Sequence, residues 1–280
     1  MREVLEEALR AEAAGEPVAL VTVVSTQGST PQKAGAKMLV HADGRIVGTI
    51  GGGCLEAEMT RRARQAIEDR RVQVTSYDLT PEEAGEDGLV CGGRMQVLIE
   101  PVEGTPVLCL FGAGHVAQPL ARMAKACGFR VEVVDDRVKF ANAQRFPEAD
   151  RIVVEGFTAA TEKVTLGPNT FAIIVTRGHK GDAEALESVL GRGLRFVGLL
   201  GSKAKTVHIF AALAERGVAR EELVRVHAPL GLEIGAQTPD EIAVSILAEM
   251  IAVRRGVDPA RSGSMKMDLP GRLKPEDSTR

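Results

Sequence analysis

The first part of the chain alternates short apolar segments with polar ones and contains two stretches of helical period. Amphipathic helices are predicted at residues 2–14 and 54–70, and strands at 18–24, 36–50, 72–79 and 94–100. Within 36–50, Asp43 and Gly44 supply the tight turn of a hairpin. This pattern is typical of a mixed α+β unit, which we place at residues 1–102.

The rest of the chain alternates apolar runs with amphipathic helices. Strands are predicted at 107–111, 131–134, 151–154, 170–176 and 195–199. A last helix starts at Thr238 and Pro239, where Thr238 is the cap and Glu241 completes a capping box. Apolar strands that alternate with helices predict a Rossmann-like parallel sheet over residues 103–256. Residues 257–280 lack periodicity, and we expect them to form a mobile tail.

The turn after the strand at 107–111 has the spacing of a dinucleotide-binding motif. Gly112 permits a tight turn, Gly114 lets a pyrophosphate approach the backbone, and the small Ala117 allows close packing of helix and strand. Asp135 follows the next strand, about 20 residues further on, where an acidic residue accepts from a ribose hydroxyl. The motif predicts a phosphate-bearing ligand, and the alternative is a glycine-rich turn with no nucleotide.

Four segments follow predicted parallel strands and should therefore converge at the carboxyl edge of one sheet. They contribute the candidate cofactor-binding residues Gly112, Gly114, His115, Asp135, Asp136, Thr176, Gly178, Gly201, Ser202 and Lys203. His179, in the third segment, is a candidate for proton transfer. The simpler alternatives are a helix cap for Ser202, a solvated lysine for Lys203, and a structural or solvated histidine for His179.

Two cysteines in the first unit lie beside glycine clusters. Cys54 follows Gly51, Gly52 and Gly53, which we include among the binding residues, and Cys91 opens a second cluster. A thiolate is the reactive form of cysteine, and a helix N-terminus favours it. The carboxylates of the first helical turn oppose it, and the alternative is a small buried residue in a tight turn. We expect Cys109 and Cys127 to be packed and inert, and His41 to be an exposed hairpin residue.

Composition excludes several classes of protein. The net charge of −3 and the absence of a basic stripe give no case for nucleic acid, and no apolar run is long enough to span a membrane. The amphipathic start is not a signal peptide. The four cysteines have no C-x-x-C spacing, so we expect reduced thiols in a cytoplasmic protein and no metal site.

Several motifs together resemble the XdhC/CoxI family. The first part contains GSTPQKAGAKMLV at 28–40, GTIGGGCLEAE at 48–58 and CGG at 91–93. The second contains LFGAGHVAQPLA, VVDDR, TRGHKGD, GLLGSKAKT and, at 227–256, HAPLGLEIGAQTPDEIAVSILAEMIAVRRG. The resemblance implies an amino-terminal XdhC/CoxI-like domain followed by a Rossmann domain. One departure is that some members have a T-H-x-H loop where this chain has Thr176, Arg177, Gly178 and His179.

The resemblance also implies a function and partners. Members assist molybdenum hydroxylases of the xanthine or carbon monoxide dehydrogenase type and are maturation chaperones more than stand-alone enzymes. The implied ligand is the molybdenum cofactor, as molybdopterin or its dinucleotide form, with help in sulfuration and insertion. The implied partners are the client enzyme, a cysteine desulfurase and a second copy in a homodimer.

Two other functions stay open at this point. The glycine motif alone also fits an NAD-dependent oxidoreductase or a nucleotide-binding regulatory module. If the two domains close on each other, the loops at 51–54 and 91–93 would face the Rossmann cleft. A ligand held there by its phosphate would present its reactive end to Cys54 and Cys91, which with His179 are the candidates for chemistry.

Overall fold

The computed structural model describes residues 1–79 and 92–261. Its helices are α1 (Arg2–Ala14), α2 (Gly53–Asp69), α3 (Ala117–Ala126), α4 (Phe157–Ala160), α5 (His179–Val189), α6 (Lys203–Glu215), α7 (Arg220–Val224) and α8 (Pro239–Arg254). Its strands are β1 (Val18–Gln27), β2 (Lys37–His41), β3 (Ile46–Gly48), β4 (Gln73–Asp78), β5 (Arg94–Val102), β6 (Val107–Phe111), β7 (Arg130–Val134), β8 (Arg151–Val153), β9 (Thr170–Ile174) and β10 (Phe196–Leu199). Cys91 and most of the predicted tail lie outside the described residues, and a short 3₁₀ helix at Pro259–Arg261 closes the described chain.

The first sheet is antiparallel, in the order β3-β2-β1-β5-β4. One face is covered by α2, whose buried Leu55 and Met59 pack with the inward residues of β1 and β5. The opposite face is covered in part by α1 through Val4 and Ala11. The predicted hairpin and both amphipathic helices are confirmed, because each helix buries the stripe that its 3.6-residue period defines.

The prediction for His41 is wrong. Its side chain is buried, and Nε2 lies 3.0 Å from Glu7 Oε1 on α1. His41 ends β2 directly opposite Val18, where α1 crosses the sheet. Hairpin position alone predicted exposure, whereas the covering helix decides the outcome.

The second sheet is parallel, in the order β10-β9-β6-β7-β8. Its central strand β6 is buried along its whole length, with α3 and α8 on one face and α5 and α6 on the other. The Rossmann-like α/β class is therefore confirmed. The strand order reverses between β6 and β9, and open sheets of this kind bind ligands in the crevice at such a reversal.

Three boundaries in the second half differ from the predictions or test them closely. The helix α5 begins at His179, earlier than the loop composition suggested, because Gly178 adopts φ +88° and ends the turn. The helix α3 begins at Ala117, so His115 lies in the preceding turn. The capping box at Thr238 and Glu241 is present as predicted.

The two sheets meet at one end of each. The first sheet ends at Val102, paired with Val18, and the second begins at Val107. Between them, Gly104 lies so close to Gly15 that a Cβ on Gly104 would collide with the Gly15 backbone. The junction therefore joins the Val18 end of the first sheet to the amino edge of the second.

Candidate functional site

The turn after β6 requires glycine at one position and leaves open space at another. Gly112 has φ +110°, and a Cβ there would lie 2.5 Å from the Val175 carbonyl oxygen. A Cβ on Gly114 would meet only that same oxygen, at 4.0 Å. Gly112 therefore serves the fold, whereas Gly114 leaves room beside the start of α3 where a phosphate can approach the backbone.

Asp135 organises this turn from the end of β7. The carboxylate is buried and accepts the Ala113 backbone N–H at 2.8 Å. Its oxygens also accept from Arg137 Nε and Nη2, each at 2.8 Å. Burial by itself raises the pKa of Asp135, but these hydrogen bonds outweigh it and the pKa lies below its ordinary value. Both oxygens are occupied, while the neighbouring Asp136 side chain is exposed.

A buried ion pair ties together the loops that follow β9 and β10. Asp182 accepts hydrogen bonds from the Thr176 backbone N–H at 3.2 Å and from its hydroxyl at 2.8 Å. It also pairs with Lys205 Nζ, which donates to the Leu200 carbonyl oxygen at 3.2 Å. Sequence reasoning missed Lys205, because the contact depends on β9 and β10 being neighbours.

The rim of this edge carries exposed cations. Arg177, Lys180 and Lys203 are exposed, and none has a side-chain hydrogen bond or ion pair among the described residues. His179 is exposed, and its ring centroid lies 5.7 Å from that of His208 on α6. Helical position alone indicates a plain surface role for His208, but the fold gives the loop a second histidine from another helix.

The start of α6 has the simpler of its two predicted roles. Ser202 accepts the Lys205 backbone N–H at 3.3 Å and is the N-cap of the helix. Gly201 leaves no free space, because a Cβ there would lie 2.7 Å from Lys205 Cδ. Contact of Ser202 and Lys203 with a phosphate stays a prediction.

A second cluster of glycines forms at the far end of the first sheet. A Cβ on Gly51 would be 2.5 Å from Pro31 Cγ, and a Cβ on Gly28 would be 3.1 Å from the Gly92 carbonyl oxygen. A Cβ on Gly93 would collide with the Ser29 carbonyl oxygen. Segments distant in sequence therefore pack at close range, and we call residues 28–31, 51–54 and 92–93 the cysteine end.

Glu56 holds the glycine loop that precedes α2. Its Oε1 accepts the backbone N–H groups of Ile50, Gly51 and Gly52 at 3.0, 3.3 and 2.9 Å, and the Thr49 hydroxyl at 2.5 Å. Burial raises the pKa of Glu56, but the hydrogen bonds from Thr49 and the backbone bring it below its ordinary value. Two of the three predicted binding glycines therefore donate to the protein's own carboxylate.

The three cysteines in the described part of the chain differ in accessibility. Cys54 is exposed on the first turn of α2, at an open depression of about 680 Å³ that Glu58, Arg61 and Arg62 also line. Cys109 is buried in β6, and burial raises the pKa of its thiol well above the usual range. The prediction that Cys127 is packed is wrong, since it is exposed at the end of α3.

The chain does not bring its two candidate regions together. The cysteine end adjoins Gln27 and Arg94, at the end of the first sheet remote from Val18 and the junction. The carboxyl edge likewise lies at the end of the second sheet remote from the junction. Among the described residues no hydrogen bond or ion pair links the two, so the expectation that Cys54 faces the Rossmann cleft of its own chain is wrong in this arrangement.

The side chains also bear on metals and membranes. Over residues 1–79 and 92–261, no group of three or more His, Cys, Asp or Glu is arranged to hold a metal ion. In the same part of the chain, no helix combines the length and apolar character needed to cross a membrane.

Comparisons with known proteins match both halves. The XdhC Rossmann domain matches residues 108–250, and the XdhC and CoxI family matches residues 11–78. The chain belongs to the XdhC and CoxI family. Among solved structures, a xanthine dehydrogenase from Bacillus halodurans is similar at 26% identity and a TM-score of 0.51, covering 93% of this chain and 98% of that one.

Three curated relatives of this XdhC/CoxI chain differ in length. The uncharacterized protein YqeB of Escherichia coli is 38% identical over 90% of this chain, which spans only 46% of YqeB. A probable xanthine dehydrogenase component of Bacillus subtilis is 24% identical, covering 86% of this chain and 94% of that protein. The molybdenum cofactor insertion chaperone PaoD of Escherichia coli is 23% identical, covering 90% and 88%. The family thus associates the chain with xanthine dehydrogenase-type proteins and molybdenum cofactor insertion.

Proposed function

We propose that this chain binds the molybdenum cofactor at the carboxyl edge of its parallel sheet and assists its sulfuration and insertion into a molybdenum hydroxylase. The relatives named for xanthine dehydrogenase and for cofactor insertion support this role. The observation that carries it is the combination of open space at Gly114 with three unpaired cations on the same edge, among the residues that the structure describes.

The residues of that edge fit a ligand that is anchored by a phosphate or pyrophosphate. Gly114 leaves room for an anion beside the backbone at the start of α3. Arg177, Lys180 and Lys203 have free donors for phosphate oxygens, since no carboxylate of the described chain engages them. Either molybdopterin or its dinucleotide form presents such a group.

The chain's own residues then have separate tasks. The edge residues hold and orient the ligand, and the Asp182–Lys205 pair keeps two of the binding loops in register. Cys54 offers an accessible thiol for sulfur chemistry, because it is exposed on the first turn of α2. When bound, the cofactor supplies the molybdenum centre and its sulfido ligand for the client enzyme, and a cysteine desulfurase would be the source of sulfur.

One structural detail weakens the NAD-dependent alternative. Asp135 was expected to accept from a ribose hydroxyl, yet its oxygens accept from Ala113 and Arg137. The exposed Asp136 remains as the acidic partner at that point. The feature that most favoured a nicotinamide ligand is therefore engaged inside the protein.

Calorimetry with molybdopterin species and with NAD tests the proposal. We expect molybdopterin to bind, and the double variant Arg177→Ala/Lys203→Ala to bind it at least about tenfold more weakly, because two charge-assisted contacts are removed. Arg220→Ala, another exposed arginine on α7, should bind as the parent does. NAD binding accompanied by hydride transfer would contradict the proposal.

A further inference from the structure

We infer that the complete site is shared between two copies of the chain, with the cysteine end of one copy facing the carboxyl edge of its partner. This inference rests on the proposed function, in which both regions act on one ligand. A single chain keeps these regions apart, so the site of each chain is incomplete without the other copy.

The lengths of the strands fix the separation within one chain. The strand β1 runs ten residues from Val18, at the junction, to Gln27, at the cysteine end. At about 3.3 Å per residue, this is roughly 30 Å. The strand β6 then runs from Val107, at the junction, to Phe111, beside the carboxyl edge. Each region therefore lies a full strand length away from the point where the sheets meet.

The junction opposes closure of one chain on itself. Arg195 is 3% exposed, and its Nη1 lies 3.0 Å from Glu103 Oε2 and 3.1 Å from Asn169 Oδ1. Its Nη2 donates to the Arg254 carbonyl oxygen at 2.6 Å, and Arg70 Nε approaches Glu103 at 3.3 Å. A large rotation about the connection would break these contacts and leave the buried guanidinium without its partners, which is costly.

The connection itself is also packed. Gly104 lies against the backbone of Gly15, and the Thr105 backbone N–H donates to the Glu12 carbonyl oxygen at 3.4 Å. The Thr105 hydroxyl bonds the Glu12 side chain as well. Helix α1 and the connection therefore form one unit at the junction, without the free residues that a hinge between the sheets would need.

A two-fold pair solves the problem with the same contact used twice. In a closed dimer, the contact between the cysteine end of one copy and the carboxyl edge of the other is repeated by symmetry. Two identical composite sites result, each with Cys54 from one chain and Arg177, His179 and Lys203 from the other. The exposed thiol and the unpaired cations would then face the same ligand, which neither could reach in one chain.

Mixing two inactive variants gives the first test. Cys54→Ala and Arg177→Ala/Lys203→Ala should each fail to activate the client. Randomly assorted at equal amounts, they form mixed pairs that hold one intact composite site, so about one quarter of the parent activity should return. A mixture that stays inactive, although each variant has the dimer mass in light scattering, would overturn the inference.

Cross-linking gives a second test that needs no client. In a Cys91→Ser/Cys127→Ser background, Lys203→Cys should join Cys54 of the partner through a short bis-maleimide and give a product of dimer mass. Lys125→Cys, near the amino edge, is the matched control and should give little. A product of monomer mass only would overturn the composite site. A dimer-mass product without molybdopterin binding would uphold the geometry and contradict the proposed function instead.

Discussion

The Asp135 carboxylate accepts the Ala113 backbone N–H at 2.8 Å, which links the end of β7 to the glycine turn after β6. The contact joins two adjacent strands at the point where a ligand would enter. The carboxylate is also held by Arg137, so the turn is fixed before any ligand arrives. Preorganisation of this kind lowers the entropic cost of binding.

The first prediction is that Asp135→Asn destabilises the fold by about 3 kcal/mol, because it leaves the Arg137 guanidinium without its carboxylate. The change is isosteric, so packing is retained. Asp136→Asn is the control, since the exposed neighbour should change the free energy of unfolding by less than about 0.5 kcal/mol. Urea denaturation of the two variants measures the difference, and equal midpoints would contradict the structural role.

The second prediction concerns acid. The pKa of Asp135 is lowered in the folded state, where the hydrogen bonds from Arg137 and Ala113 exceed the effect of burial. The stabilisation is therefore present above the unfolded pKa of about 3.9 and is lost as the pH falls through the lower folded value. Unfolding free energy should drop below about pH 4, and Asp135→Asn should flatten that slope. An unchanged slope in this variant would assign the acid sensitivity to other carboxylates.

The third prediction separates folding from binding at the two glycines of one turn. Gly112→Ala should cost about 3 kcal/mol, because φ +110° and a Cβ at 2.5 Å from the Val175 carbonyl oxygen are both unfavourable. Gly114→Ala should melt as the parent does, yet bind molybdopterin weakly, since its methyl group occupies the approach of the phosphate. Thermal melts and calorimetry distinguish the two, and full affinity in Gly114→Ala would place the anion elsewhere.

Local signals predicted the elements well, and long-range contacts account for what they missed. The Thr238–Glu241 capping box and the Gly112 turn depend on residues close in sequence, so composition was sufficient. The burial of His41 depends on α1 crossing the sheet, and the pairing of Asp182 with Lys205 depends on the order of the strands. No periodicity reports such contacts.

The candidate site shows the same division. Convergence of the loops at the carboxyl edge followed from parallel strands and was predictable. The roles of Glu56 and Asp135 were not, because each carboxylate turned inward to satisfy backbone N–H groups that sequence reasoning had assigned to a ligand. Buried backbone donors need partners, and the nearest acidic side chain can supply them before a ligand does.

The fourth prediction concerns Glu56. Glu56→Gln removes the charge that accepts three backbone N–H groups and the Thr49 hydroxyl, so it should cost about 2 kcal/mol. Glu68→Gln is the control, because it is exposed on the same helix. Denaturation gives the stability, and the rate of Cys54 alkylation reports whether the loop still presents the thiol in the same way. Equal stabilities of the two variants would show that the loop holds itself.

The last prediction concerns Cys54. Cys54→Ala should fold normally, since the thiol is exposed and a surface change of this size alters stability by less than about 0.5 kcal/mol. It should nevertheless fail to support sulfuration of a client enzyme, because the accessible thiol of the cysteine end is gone. Cys127→Ala removes another exposed thiol, on the opposite domain, and should activate the client fully. Client activation is measured beside thermal melts of both variants. Activation by Cys54→Ala at the parent level would move the sulfur chemistry to Cys91, for which Cys91→Ala is then the decisive variant.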